Sequence, residues 1–448
     1  MAAHVLRHAP CQPDKLALSI LSSASAESWT YQQLETAVRG TGTGLLETGL
    51  TKGDIVLMRL GNTVEFPIAY LGAIAAGLVP VPTSSQLTES ETAKIIDELS
   101  PAAILKDPDL DCAAHSNQIS TDSLIAMREL APCDYTYGVP ERLAYIVYTS
   151  GTSGNPRAVG HAHRAIWARQ MMVKGWYDLQ AEDRVLHAGA FNWTYTLGTG
   201  LMDPWVIGAT ALIPAPNTAP SALPALLKQN QASIFAAAPG VYRKLLQEVE
   251  KLDLPDLRHG LSAGEKLSEN LQQAWNKATG RDLYEAYGMS ECSTFISSSP
   301  LSPTSGQSLG RPQSGRRIAI LGDDGPVPLG HEGIIAIHRD DPGLMLGYLN
   351  APAETAARYQ GDWFLSGDLG SMAEDGQITY LGRDDDMMNA GGYRVSPLEV
   401  EGTLSKHPGI TQVGVTAVEV KADTFVIAAF YTGPKKLNDQ DLQDFANN

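Results

Sequence analysis

Sulfur and positive charge are both scarce in this 448-residue chain. The four cysteines, Cys11, Cys112, Cys133 and Cys292, show neither a C-x-x-C motif nor paired spacing. Neither a zinc site nor a disulfide framework is indicated, and a reducing cytosol is the expected compartment. Lys and Arg total 33 against 50 Asp and Glu, a formal net charge of −17. That balance sets aside nucleic acid and anionic membrane surfaces as main partners, and any polyanionic ligand must find its positive charge at the site itself. The Walker pattern G-x-x-x-x-G-K-[ST] occurs nowhere, which excludes the usual P-loop. Long apolar runs are missing as well. The one membrane suspect, Phe66 to Pro82, is seventeen residues without a charge. It opens on Phe-Pro, carries Gly72 and Gly77 and closes on Val-Pro-Val-Pro, so a buried helix leading into a core strand is expected there, not a span. Met1 to Ser19 has charges scattered through it and no continuous apolar core, so no signal peptide is expected. No solenoid-type repeat is visible.

What is present is the composition of a globular protein, 43% hydrophobic and 19% charged. Single cores stop growing beyond roughly 250–300 residues, so more than one domain is expected. Trp29-Thr30-Tyr31 opens an amphipathic helix with Thr30 as N-cap and Leu34, Val38, Leu45 and Leu46 along one face. Lys52-Gly53-Asp54 turns into the strand Ile55-Val56-Leu57-Met58. Strands and helices keep alternating through Leu105 and the run Leu143-Ala144-Tyr145-Ile146-Val147, which argues an α/β layer architecture with a mostly parallel sheet.

Chemistry gathers behind that last strand, which exits at Tyr148 into Thr149-Ser150-Gly151-Thr152-Ser153-Gly154-Asn155-Pro156-Arg157. Its hydroxyls and glycines can wrap an oxyanion, because glycine permits close backbone approach and Ser/Thr donate without adding charge. Arg157 adds a planar donor fork suited to phosphate. A polar surface linker has the same composition and is the commoner case for an isolated run. Gly160 to Ile166 reads as the start of a helix. His161 and His163, at i and i+2, would diverge on it, so structural or capping roles are preferred to a shared metal. Leu186 to Tyr195 reads as a strand running into an aromatic turn. Phe191, Asn192 and Trp193 suggest a pocket wall for an apolar or aromatic acid, although plain core fits the same pattern. Ser233 to Gly240, with Ala238 and Pro239, is another strand and turn. Leu261 to Leu267, with Ala263, Gly264 and Glu265, is a strand end whose small residues leave room for a planar ligand at the edge where open α/β sheets bind. Gly310 to Ile337 reads as a small β-rich module.

The order Tyr148-Thr149-Ser150-Gly151-Thr152-Ser153-Gly154-Asn155-Pro156-Arg157 closely resembles the phosphate-binding signature of the adenylate-forming superfamily. That superfamily comprises acyl-CoA synthetases, aryl-CoA ligases, luciferases and the adenylation domains of peptide synthetases. Arg157 and Ala158 depart from the family's usual Lys and Gly, with the charge retained. The resemblance covers essentially the whole chain. Tyr287-Gly288-Met289-Ser290-Glu291 matches Y-G-x-T-E, Trp363 to Asp368 matches W-x-x-T-G-D, and Gly376 to Glu401 matches the family's linker and the first hairpin of its small domain.

The resemblance implies ATP, Mg2+ and CoA as cofactors and a small-molecule carboxylate as substrate. It puts Thr149 to Gly154 and Arg157 around the phosphates and Ala263, Gly264 and Glu265 beside the adenine. Tyr287, with Gly288 and Met289, would stack on the base, Ser290 would reach the α-phosphate, and Glu291 would hold Mg2+. Asp368 and Arg383 would bind ribose, and Phe191, Asn192, Trp193, Ala238 and Pro239 would line the acyl pocket. Asp385 would be the hinge, Gly391 and Gly392 would line a pantetheine tunnel, and Arg394 would approach phosphate. Asn192, where amino-acid-activating relatives carry Asp, points to an aryl or short-to-medium acyl carboxylate. The implied fold is a large N-terminal domain, 1–383, of two α/β sheet subdomains plus a small β-rich module, followed by a mobile α+β domain, 384–448. The family's small domain runs longer and ends in P-x-T-x-x-G-K, whereas here 65 residues follow Arg383 and Lys435-Lys436 does not match. A truncated small domain or a loss of full adenylation activity is expected. Two further readings therefore stand beside the acid–CoA ligase: an acyl-AMP ligase loading a carrier protein's phosphopantetheine, and a nucleotide- or acyl-binding pseudoenzyme.

Overall fold

Helix formation begins where the sequence supplies a cap. The Thr30 hydroxyl accepts from the Gln33 amide at 3.2 Å and the Gln33 side chain accepts from the Thr30 amide at 2.9 Å, a capping box that starts the helix Tyr31–Glu47. Leu34, Val38 and Leu45 of this helix are buried and Leu46 is half-buried. The uncharged stretch forms the helix Glu65–Ala76, buried from Phe66 onward, ended by Gly77 at φ 85° and followed by a strand. Among the described residues no helix is long and apolar enough to cross a membrane.

The computed structural model describes the chain apart from residues 23–25, 150–155, 248–250, 305–307, 391–392, 422–423, 439–441, 443–444 and 446–448. It divides into two compact units, one of Met1–Thr304, Pro312–Arg316 and Asp340–Ala357, the other of Ser305–Arg311, Arg317–Arg339 and Arg358–Asn448. The first unit opens with β1 (Leu16–Leu21), β2 (Ala26–Thr30), β3 (Ile55–Arg59), β4 (Val79–Pro82), β5 (Ala103–Lys106) and β6 (Gln118–Ser120). It continues with β7 (Leu143–Tyr148), β8 (Ala158–Ala162), β9 (Arg184–His187), β10 (Thr210–Pro214), β11 (Ile234–Ala236), β12 (His259–Ala263), β13 (Leu283–Met289) and β14 (Ser293–Ser297).

These strands form two α/β sheets. One runs β14-β13-β12-β11-β9-β10-β1-β2, parallel from β13 to β1 with antiparallel β14 and β2 outside. The other, β4-β3-β5-β6, is parallel throughout. Strands β10, β11 and β12 are buried at every residue, as expected of strands covered on both faces. A third, smaller sheet joins β7, β8 and the short strand Gly347–Tyr348.

That third sheet corrects one expectation. Ala158 to Ala162 is strand, not helix, because β8 folds back antiparallel on β7 and takes Gly347–Tyr348 on its other edge. The helix begins only at Ala165. His161 and the residue two beyond it therefore do not diverge as helical neighbours would. His161 is nonetheless structural, stacked on Tyr145 at 4.9 Å and bonded to a backbone carbonyl.

The second unit carries an antiparallel sheet that includes Ser308–Pro312, Ile318–Gly322, Glu332–His338, Trp363–Met372 and Ile378–Arg383, the β-rich module expected from sequence. Beyond it lie a hairpin of Met388–Ala390 and Tyr393–Val395, the helix Pro397–Leu404, and a hairpin of Gln412–Lys421 and Thr424–Thr432. Met388, Leu404 and Val415 form the small core of that region.

His161, His187 and His259 are buried in the first unit, and burial pulls their pKa values down to about 4, about 3 and about 4. The unfolded chain protonates each near 6.5, so between the two values the unfolded state binds more protons and stability falls as pH drops. The urea midpoint should therefore fall steadily from pH 7 to pH 5, and less steeply in His259→Phe. Equal slopes in the two proteins would show that His259 takes up its proton at the same pH in the folded and unfolded states.

Candidate active site

The hairpin of β7 and β8 presents the hydroxyl- and glycine-rich loop. Ser150, Gly151, Thr152, Ser153 and Gly154 lie outside the described residues, but the neck of the loop is defined. The Thr149 amide donates to the Arg157 carbonyl at 3.0 Å, and the Arg157 amide donates to Thr149 Oγ1 at 3.1 Å. These two bonds close the loop at its base. The Arg157 guanidinium pairs with Glu354, on the helix Pro352–Ala357, and the two side chains are 32% and 49% exposed.

The carboxyl ends of the parallel strands supply the second group. Ala263 and Ala286 are paired across β12 and β13, and Ala238, half-buried, and Pro239, buried, follow β11. Gly264 takes φ 96°, and a side chain there would meet nothing within 4 Å, so the space above it is open. Glu265 is exposed and pairs with Arg243 at 3.2 Å. The neighbouring Lys266 donates at 2.7 Å to Glu285, whose other oxygen accepts the Leu267 amide at 2.8 Å. Burial raises the Glu285 pKa against the pull of Lys266.

Tyr287 is half-buried with its ring edge-on to Phe295, centroids 5.3 Å apart. Gly288 is required by close approach, since a Cβ would lie 2.2 Å from the Ser293 carbonyl oxygen. Met289 and Ser290 are half-buried and complete the turn into Glu291, which is 8% exposed. Three contacts hold this turn. His161 Nε2 donates to the Ser290 carbonyl at 2.7 Å, the Met345 amide donates to the Glu291 carbonyl at 2.7 Å, and the Tyr348 hydroxyl donates to Glu291 Oε1 at 2.7 Å. Because a carbonyl only accepts, the neutral His161 ring carries its proton on Nε2.

The aromatic turn after β9 is clamped by a residue that sequence reasoning missed. Asn62 donates to the Gly189 carbonyl at 3.0 Å and accepts from the Phe191 amide at 2.8 Å. Phe191 is buried against Phe66 at 5.5 Å, Asn192 is half-buried and Trp193 is 52% exposed. Nothing near Asn62 in sequence hints at this role, because its partners are 127 and 129 residues away.

Asp368 belongs to the second unit. It lies inside the strand Trp363–Met372, whose burial alternates so that Phe364, Ser366, Asp368 and Gly370 face inward. Asp368 pairs in register with Arg383, with Oδ1 3.4 Å from Nη1, and Arg383 Nε lies 3.3 Å from Asp385. Gly391 and Gly392 fall outside the described residues, as does the side chain of Arg394.

Solved structures share this fold. The ATP-bound crystal structure of MatB from Rhodopseudomonas palustris superposes with a TM-score of 0.88 at 23% identity, covering 100% of this chain and 92% of that one. A benzoate CoA ligase from Burkholderia xenovorans LB400 gives 0.86 at 24% identity, covering 99% and 92%. Among curated relatives, the benzoate–CoA ligase of Thauera aromatica is 30% identical over 434 residues, 90% of this chain and 81% of its own. The mitochondrial acyl-coenzyme A synthetase ACSM3 of Rattus norvegicus is 29% identical over 443 residues, 92% and 76%.

The parallel sheet, the hairpin of β7 and β8 and the buried Glu291 all lie in the first unit. The chain belongs to the AMP-binding enzyme family, whose pattern matches residues 5–349. Its chemistry is that of an ATP-dependent, AMP-forming acid–CoA ligase.

Tyr348→Phe removes the hydroxyl that holds Glu291 and should lower kcat/KM for acid-dependent pyrophosphate release about tenfold, the scale of a hydrogen bond to a charged group. Unchanged kinetics would show that Glu291 is placed by the backbone alone. Gly288→Ala forces the Ser293 backbone aside and should destabilise the protein by about 1–3 kcal/mol, read as a fall in Tm.

Proposed function

We propose that the chain activates an aryl or short-to-medium-chain carboxylate as its acyl-AMP and transfers the acyl group to CoA, in the cytosol. The observation that carries this reading is the buried Glu291 carboxylate, fixed by Tyr348 in the turn that follows Tyr287 and Gly288. A substrate carboxylate oxygen attacks the ATP α-phosphorus and pyrophosphate leaves. The CoA thiolate then attacks the acyl carbonyl and AMP leaves. The first step is charge neutralisation and positioning. Arg157 at the loop neck supplies positive charge to the phosphates, Thr149 holds the neck closed, and Ser290 presents its hydroxyl to the α-phosphate.

Mg2+ is commonly bound by one or two carboxylates together with substrate phosphates, and a single fixed carboxylate such as Glu291 fits that demand. When bound, the ion neutralises charge building on the phosphates. Tyr287 and the open space over Gly264 suit the adenine base, and Asp368 with Arg383 suits the ribose. Asp385 serves as the hinge of a small domain 384–448. Phe191, Asn192, Ala238 and Pro239 line an acyl pocket with no acidic residue among them to hold an ammonium group. The names of the relatives support the same acid classes.

Pyrophosphate release with ATP, Mg2+ and a panel of benzoates, cinnamates and fatty acids tests this. Acid-dependent release that EDTA abolishes, and that Glu291→Gln lowers by about 10²-fold, is the expected result. Free CoA should be a better acceptor than a phosphopantetheinylated carrier protein. ATP binding with no acid-dependent release would overturn the proposal.

A further inference from the structure

The first unit buries a histidine that no group among the described residues bonds. His187 ends β9, is 1% exposed, and neither Nδ1 nor Nε2 has a hydrogen-bond partner among the described residues. Thr196, on the segment that returns from the aromatic turn, has a buried hydroxyl that is likewise unpartnered. Both pack against Gly189, since a methyl group there would come within 2.3 Å of Thr196 Oγ1 and 3.2 Å of His187 Nδ1. Buried polar groups are almost always bonded, and leaving them unbonded costs stability. A small ligand group with hydrogen-bonding capacity would remove that cost.

The position within the fold is equally specific. His187 pairs in register with Ala236, and Ala236 with Leu261, so the ring sits at the carboxyl edge of the sheet. Its own face carries Ala236, Leu261, Ala263 and Ala286, all in one cluster with Tyr195. Tyr195 closes the far side, its ring edge-on to His187 at 4.4 Å and its hydroxyl tied to the Leu261 carbonyl at 3.0 Å. Gly189, above the two polar groups, begins the turn that Asn62 clamps and that leads directly to Phe191 and Asn192.

We infer that His187 and Thr196 form the polar end of the acyl pocket and select an aryl acid that carries an uncharged hydroxyl substituent. This rests on the acid-activating reading above and names its substrate class. Burial keeps the imidazole neutral, its pKa lowered to about 3, so one nitrogen donates while the other accepts. A hydroxyl on the ring matches that pair, donating to the bare nitrogen or accepting from the N–H, with the threonine hydroxyl as second partner. An unsubstituted ring leaves both groups unbonded. A second carboxylate would meet no positive charge from a neutral imidazole.

The test measures binding of non-hydrolysable acyl-sulfamoyl adenosines, benzoyl against its 2-, 3- and 4-hydroxy and 3-carboxy derivatives, by calorimetry. At least one hydroxybenzoyl compound should bind about 10–100-fold more tightly than the benzoyl compound, and the carboxy compound more weakly than it. That preference should collapse toward unity in His187→Phe and shrink in Thr196→Val, which keeps the shape of threonine and guards against misfolding of the first variant. Equal binding of benzoyl and hydroxybenzoyl compounds by the unaltered protein, or a preference unmoved by either variant, overturns the inference and leaves the ligase reading standing. Binding of none of the compounds sinks the ligase reading itself.

Discussion

The hydrogen bond from His161 to the Ser290 carbonyl ties together two pieces of chain 129 residues apart. On one side is the hairpin whose loop carries the hydroxyls and Arg157. On the other is the turn that ends in Glu291. Tyr348 adds a second tie, because its strand Gly347–Tyr348 is the outer edge of the same hairpin sheet while its hydroxyl holds the Glu291 carboxylate. The proposed phosphate loop and the proposed metal ligand therefore belong to one small assembly. The sheet ties the neck of that loop, at Thr149 and Arg157, to the turn that carries Glu291. Preorganisation of this kind is what charge-stabilising catalysis requires, since groups that must be rearranged during reaction contribute less.

The parts of this arrangement that were legible in the sequence are local ones. Thr30 and Gln33 lie three residues apart, and their capping box follows from side-chain reach alone. The buried helix Glu65–Ala76 could be read from the absence of charge and the glycine and prolines that end it. The motif order made the family legible, and with it the strands that bear the site. What could not be read depends on pairing at long range. Ala158 to Ala162 became strand because β7 on one side and Gly347–Tyr348 on the other gave its backbone partners, information no local window contains. Asp368 sits within a strand, inward-facing by alternation, and Gly367, at φ 81°, lies where the pairing with Glu332–His338 shifts register. Asn62, Tyr348 and Glu354 are unremarkable polar residues until the fold brings their partners beside them.

Burial sorts the charges of this acidic chain by task. Arg169 and Asp203 form a two-point ion pair, with Nε to Oδ1 at 2.9 Å and Nη2 to Oδ2 at 2.6 Å, almost wholly buried and reinforced by the Tyr177 hydroxyl. Breaking one partner of such a pair leaves an uncompensated charge in the interior, at a cost of about 3–5 kcal/mol. The pair is therefore permanent, and through Arg169 and the Ser293 hydroxyl it fixes the start of β14 just beyond Glu291. Arg157 and Glu354 are the opposite case. Both are partly exposed, and pairs of that kind are typically worth about 0–1 kcal/mol. In the proposed role Arg157 exchanges the Glu354 carboxylate for a phosphate, and the exposure of that pair keeps the cost of leaving it small. The two arginines thus divide by burial: one is locked in an interior pair that fixes the start of β14, and the other lies in a partly exposed pair at the neck of the proposed phosphate loop.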